Sequence, residues 1–290
     1  MGVRHWLNRL TPYLLLAPGV LWLLVFYAYP SIQMFISSFW SGTLETGFTV
    51  SLDNWTTYPD ALQRYGPQFG RSLVYGAAAT VICFLIAYPL AYAIAFRGGR
   101  YKSLLLFLVI APFFTSFLLR TQSWKIILGD DGILFGPLKD LGLLGPDFRV
   151  LATPAAVVAG IAYNFLPFMT LPIYVSLEKI DRRLLEAGQD LYATPLMTFR
   201  KVTFPLALPG IFAGTLLTFI PAMGDYVNAE LLGQTPSTRM IGNVIQSRFL
   251  TNNDYPTASA LSFILMAGIL VMVAVYARVL GTEELTSGSV

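Results

Sequence analysis

Histidine and cysteine are nearly missing: the 290-residue sequence holds one of each, His5 and Cys83. A single cysteine cannot close a disulfide within the chain, and one histidine in the N-terminal tail supports neither a Cys/His zinc cluster nor a histidine-based triad. Charge is scarce as well. Asp, Glu, Lys and Arg make up 12% of the residues while 55% are hydrophobic, against about 25% and 45–50% in soluble chains. With a mean hydropathy of +0.62, such a chain needs lipid as solvent. The net charge of +3 is too small and too dispersed to imply nucleic acid, and no run of like charge or low-complexity segment occurs. A phosphate-binding loop is also lacking. Lys102-Ser103 has the ending of one, but Gly98 and Gly99 are mis-spaced and Tyr101 stands where the last glycine belongs. The sequence therefore offers no site of its own for ATP hydrolysis.

What is there are long apolar runs. Six candidate spans cover about residues 13–29, 72–96, 103–119, 151–175, 206–222 and 258–280 of the single domain 1–290. A span needs about 20 apolar residues. All six are expected to be helices, because a helix satisfies its own backbone hydrogen bonds in lipid and the runs lack the alternation of a barrel strand. The first is read as retained rather than as a cleaved signal, since it ends in Tyr27-Ala28-Tyr29-Pro30 without a small-x-small site. The fold class expected is an all-α polytopic bundle.

Orientation follows from the basic residues. With the N-terminus inside, Arg4, Arg9, Arg97, Arg100, Lys102, Lys179, Arg182, Arg183, Arg200, Lys201 and Arg278 fall on cytoplasmic segments, at about twice the density of the other side. Both termini are expected in the cytoplasm. Outer loops then cover 30–71, 120–150 and 227–257, and Trp22, Trp40, Trp55, Tyr27 and Tyr29 form an aromatic belt toward the outer boundary. Gly210 and Gly214 make a GxxxG pair that lets the fifth span approach another helix, within this chain or across a dimer.

The inner segment 176–205 is too long for a simple connector. Leu184, Leu185, Ala187, Leu191, Leu196, Phe199 and Val202 recur at helical spacings between charges, with Pro195 interrupting, so short amphipathic helices are expected to lie flat under the membrane. Their apolar face must be buried against headgroups, the ends of the spans, or a docked partner.

Within that segment Glu186-Ala187-Gly188, followed by Ala193, Phe199, Pro205, Pro209 and Gly210, resembles the EAA signature of permease subunits of bacterial ABC importers. Gly188 replaces the second alanine of that pattern and Tyr192 its loop glycine. A tyrosine takes positive φ less cheaply than glycine, so the bend between the short helices is expected to differ. The segments LLRTQSW (118–124), GDYVNAELLG (224–233) and IGNVIQSRFLTNNDYP (241–256) resemble the outer parts of spermidine/putrescine permeases. Related branches carry iron, opines or aminophosphonates.

The resemblance implies a transport subunit in the bacterial inner membrane, itself no enzyme. Glu186, Ala187, Gly188, Asp190, Tyr192, Ala193, Phe199 and Pro205 would couple it to a pair of ATPase chains, with Tyr192 an aromatic plug in that interface. ATP and Mg2+ would reside in those chains and no cofactor or metal in this one. A second permease subunit, an extracytoplasmic binding protein and lipid complete the expected partners.

Candidate substrate groups are Asp225, Glu230, Tyr226, Trp124, Arg120 and Asn164. Asp225 follows the outward-running fifth span, where a negative charge at a helix C-terminus is unfavourable by about 0.3–1 kcal/mol, so a purely structural choice would avoid it. The plainer alternatives are that Asp225 and Glu230 mark the water interface or pair with Arg120, Arg239 or Arg248, and that Asn164 joins helices. A secondary transporter driven by an ion gradient is the competing class. It would want carboxylates deep inside spans and related halves, and neither is visible.

Overall fold

The computed structural model describes Tyr13 and residues 15–43 and 45–280. Arg4, His5, Arg9 and the two termini, whose side was inferred above, lie outside the described residues. Helices are α1 (Leu15–Ser37), α2 (Thr57–Tyr92), α3 (Lys102–Ile110), α4 (Phe117–Ile127), α5 (Phe135–Asp140) and α6 (Pro154–Glu178). Then follow α7 (Arg182–Asp190), α8 (Pro195–Thr198), α9 (Phe204–Met223), α10 (Ile241–Gln246) and α11 (Tyr255–Leu280). Among the described residues five helical runs are long and apolar enough to cross a membrane, and a sixth is obtained if one bent pair counts as a single span.

The chain divides into two units, residues 1–64 with 245–266 and residues 65–244 with 267–290. In the first, the segment expected as a plain outer loop contains a hairpin. Strands β1 (Trp40–Thr43) and β2 (Gly47–Val50) pair antiparallel, Trp40 opposite Val50. Trp40 stacks on Phe48 with ring centroids 5.0 Å apart, and Asn54 Nδ2 donates to Trp40 O at 2.6 Å and Ser41 Oγ at 2.8 Å. Phe35 of α1 meets Phe263 of α11 edge-on, and Arg248 pairs with Asp254 at 3.2 Å.

The core of the second unit is built on small residues. Ala79, Cys83, Ala87 and Ala91 recur every fourth residue along α2 and are fully buried, with Cys83 Sγ donating to Ala162 O of α6 at 3.1 Å. Helices α6 and α9 pack through Gly210 and Gly214. A Cβ at Gly214 would sit 2.9 Å from Met169 Sδ and 3.0 Å from Met169 O, so the pair serves close packing within this chain, one of the two uses expected of it.

Three span readings change. The first run, expected to end at residue 29, continues through Pro30 to Ser37. The helix expected from residue 72 begins at Thr57, because Pro67 is accommodated inside it. The third run, expected as one helix over 103–119, turns a corner instead. The run Gly99–Phe114 and α4 meet at 93°, with Thr115 and Ser116 extended between them. Pro112 near the end of the first arm, with its missing N–H, and the β-region residues after it favour a stop there.

Candidate functional site

The inner segment folds as the leucine spacing expected, into α7 and α8. Asp181 Oδ1 accepts from Arg183 N at 3.0 Å at the start of α7. Thr194 caps α8 by accepting from Met197 N at 3.3 Å, with Pro195 as its first residue, so the proline starts a helix rather than merely breaking one. Between the helices Tyr192 takes φ +58. The expectation of a different bend is overturned: the left-handed turn is kept, and Ala193 N donates to Gly188 O at 3.0 Å to close it. Gly188 suits its place because a Cβ there would come within 3.2 Å of Thr198 Oγ1 on α8.

Side chains on this segment divide by direction. Phe199 turns inward, edge-on to Tyr88 of α2 at 5.6 Å and 6.0 Å from Phe204, anchoring the segment to the spans. Pro205 is half-buried in the first turn of α9. Glu186, Ala187 and Asp190 are exposed, as are Leu191, Leu196 and Met197. Tyr192 is 97% exposed despite its strained backbone. Lys102 at the foot of α3 pairs with Glu178 at the foot of α6, 3.0 Å apart.

A second group of polar residues lies inside the second unit. The Asp225 carboxylate is only 7% exposed. Its Oδ1 accepts from Asn228 N at 2.8 Å and its Oδ2 from Asn228 Nδ2 at 2.9 Å. Asn228 Oδ1 in turn accepts from Asn164 Nδ2 of α6 at 3.1 Å, and the same nitrogen donates to Thr121 Oγ1 of α4 at 3.2 Å. Asn164 thus joins helices. Asn228 and Thr121, which the sequence reading did not single out, complete the network. Asp225 has a structural role as well, since it lies at the start of the next helical segment and not only past the end of α9. Accepting the N–H three residues on is the N-cap pattern, and a negative charge is favourable at that end.

Glu230 is exposed and accepts from Asn243 Nδ2 at 3.1 Å, which also donates to Tyr226 O. Tyr226 is 43% exposed. Among the described residues neither acid forms an ion pair with Arg120 or Arg239, and the Arg120 guanidinium lies 4.7 Å from the Phe113 ring centroid. Trp124 of α4 meets Tyr163 of α6 edge-on at 5.2 Å. Residues after α9 and the later part of the third run are therefore neighbours, through Asn228 and Thr121, while among the described residues no hydrogen bond or ring contact joins Trp124 to Asp225.

Burial pushes the Asp225 carboxyl up to about 6, against the pull of the Asn228 donors. The folded value lies above the ordinary 3.8, so ionisation is what costs stability above pH 6, and the protein should gain stability as pH falls through about 6 toward 4. Melting temperatures of the purified complex across that range, compared with Asp225→Asn, check this. A difference between the two that does not change with pH would refute it.

A bundle with a pair of short amphipathic helices between two spans and a broken span has the fold of a permease subunit of a type I ABC importer. The chain matches the crystal structure of a bacterial ABC transporter involved in the import of the acidic polysaccharide alginate, with TM-score 0.71 over 97% of this chain and 99% of that one at 18% identity. The family model described as binding-protein-dependent transport system inner membrane component matches residues 4–280, and the chain belongs to that family. It is 40% identical over 259 residues to the spermidine/putrescine transport system permease protein PotB of Haemophilus influenzae, covering 89% of this chain and 90% of that protein. To PotB of Escherichia coli it is 39% identical over 261 residues, 89% of this chain and 93% of the other. The protein is thus a multi-pass inner-membrane permease subunit of an ABC importer, and not itself an enzyme.

Proposed function

We propose that this subunit passes polyamines, spermidine and putrescine, inward across the bacterial inner membrane. The observation that carries the reading is the identity of 40% and 39% to two PotB permeases over about nine tenths of every chain compared. The chemistry is compatible. A polyamine presents ammonium groups on an alkyl chain, which carboxylates and aromatic faces accommodate, and exposed Glu230 with Tyr226 offers such a pair. Asp225, committed to Asn228, holds that segment in shape. The assembled transporter in cells lacking their own polyamine importers should accumulate labelled spermidine, with putrescine competing. Uptake of an aminophosphonate or sulfate in place of polyamines would overturn the reading.

In this reading an external binding protein delivers the solute, a second permease subunit completes the pathway, both termini lie in the cytoplasm, and a pair of ATPase chains holding ATP and Mg2+ docks on α7 and α8. Exposed Leu191, Tyr192 and Leu196 supply the apolar contact, around Glu186, Ala187, Gly188, Asp190 and Ala193. A tyrosine fully in water gains nothing from a left-handed backbone that glycine adopts freely, so its use there lies in the complex. Tyr192→Gly should leave the permease itself as stable as before or slightly more so, and weaken retention of the ATPase by about 1–3 kcal/mol through the lost aromatic burial. Detergent pull-down at graded salt measures this, and undiminished retention would mean that the ring stays in water.

A further inference from the structure

We propose that the inner side of the α3–α4 corner is a binding site for one phospholipid, its phosphate on Arg120 and an acyl chain along α3. This goes beyond solute transport and holds whatever the solute is. A cavity of about 350 Å3 lies between α2, α3, α4 and α6, walled by Leu90, Leu105, Leu108, Pro112 and Leu166, with Arg120 the charged group on its lining. Leu105, Leu108 and Pro112 fall on one face of the helical run, so the apolar wall extends from the corner back toward the cytoplasmic end of α3.

Depth decides which anion Arg120 meets. The run Gly99–Phe114 rises about 24 Å at 1.5 Å per residue, and the hydrocarbon core is about 30 Å thick. The 93° turn into α4 then carries the chain sideways, so Arg120 stays near the outer edge of the hydrocarbon, just below the phosphates of the outer leaflet. A guanidinium at that depth is costly unless it is paired or reaches the headgroups. Among the described residues its buried Nε has no hydrogen-bond partner, and the ring contacts with Phe113 and Phe117, at 4.7 and 5.9 Å, orient the group without neutralising it. A phosphodiester reached from the leaflet supplies the charge, in the planar two-pronged geometry that arginine favours. The attached acyl chain, hanging toward the bilayer centre, runs along the wall that Leu108 and Leu105 provide.

The test uses the assembled transporter purified in mild detergent and native mass spectrometry. Wild type should retain about one more phospholipid per permease chain than Arg120→Gln or Leu108→Trp, the second of which fills the groove and leaves the charge in place. Arg120→Lys covers the case in which the glutamine variant fails to assemble, and should retain lipid to an intermediate degree. On delipidated complex, dioctanoyl phosphatidylglycerol should bind wild type at least tenfold more tightly than Leu108→Trp, while inorganic phosphate at the same concentration should not bind. Equal lipid retention in wild type and Leu108→Trp would overturn the proposal. Binding of inorganic phosphate that Leu108→Trp leaves unchanged would overturn it in favour of a free-anion site. Protection of Leu108→Cys from a maleimide in the delipidated complex would overturn it in favour of the second permease filling the groove.

Discussion

Asn228→Ala is expected to destabilise the permease by about 1–3 kcal/mol, because it takes the side-chain donor from a buried carboxylate and strands a second polar group. Asn228 is fully buried and supplies two donors to Asp225 and an acceptor to Asn164. The variant leaves the Asp225 carboxylate with backbone donors alone, from residues 228 and 229, and acidification should restore part of the loss by neutralising that charge. Replacing Asp225 as well should cost much less than the two single changes added together, since removing both partners of a buried pair is nearly neutral. Thermal unfolding of the purified complex, single variants against double, measures the coupling. A melting temperature for Asn228→Ala close to wild type would mean that the network does not hold α4, α6 and the segment after α9 together.

Glu186→Ala is expected to abolish substrate-stimulated ATP hydrolysis, a loss of at least tenfold, while the chain still inserts and folds. The side chain is exposed on α7, so its removal takes nothing from the core, and the effect falls on docking alone. ATPase assays of the reconstituted complex, paired with a check that the permease is present and folded, separate the two. Full transport by this variant would refute the docking reading of the segment.

Much of this architecture was legible because lipid imposes a simple rule on sequence, apolar for as long as the chain is inside. The runs around Cys83, Ile161 and Phe212 follow that rule, and the amphipathic α7 and α8 stand out because charges interrupt it. The start of α2 was missed for the same reason. The residues from Thr57 to Arg71 carry Asp60, Arg64, Gly66, Pro67 and Gly70, a composition that reads as loop, yet they continue the helix. The corner after Pro112 left a faint signal in Thr115-Ser116, residues that often precede a helix start. Asp225 carried a clearer one, an acid three residues before the amide it caps, hidden because the preceding helix had just ended. Asn228 had no signal at all: its importance comes from meeting Asn164 and Thr121, residues 64 and 107 positions away, and no local pattern encodes such a meeting.

The ion pair between Lys102 and Glu178 fastens the foot of α3 to the foot of α6, directly above the segment that carries α7. Both side chains are partly exposed, so the fastening is light, about 0.2–1 kcal/mol, but it joins two rods at one end. At its other end the first rod turns by 93° into α4. Beyond the corner, Thr121 of α4 meets Asn164 of the same α6, so the bent pair is tied to one straight helix on both sides of its turn, like a bracket fixed to a post at two points.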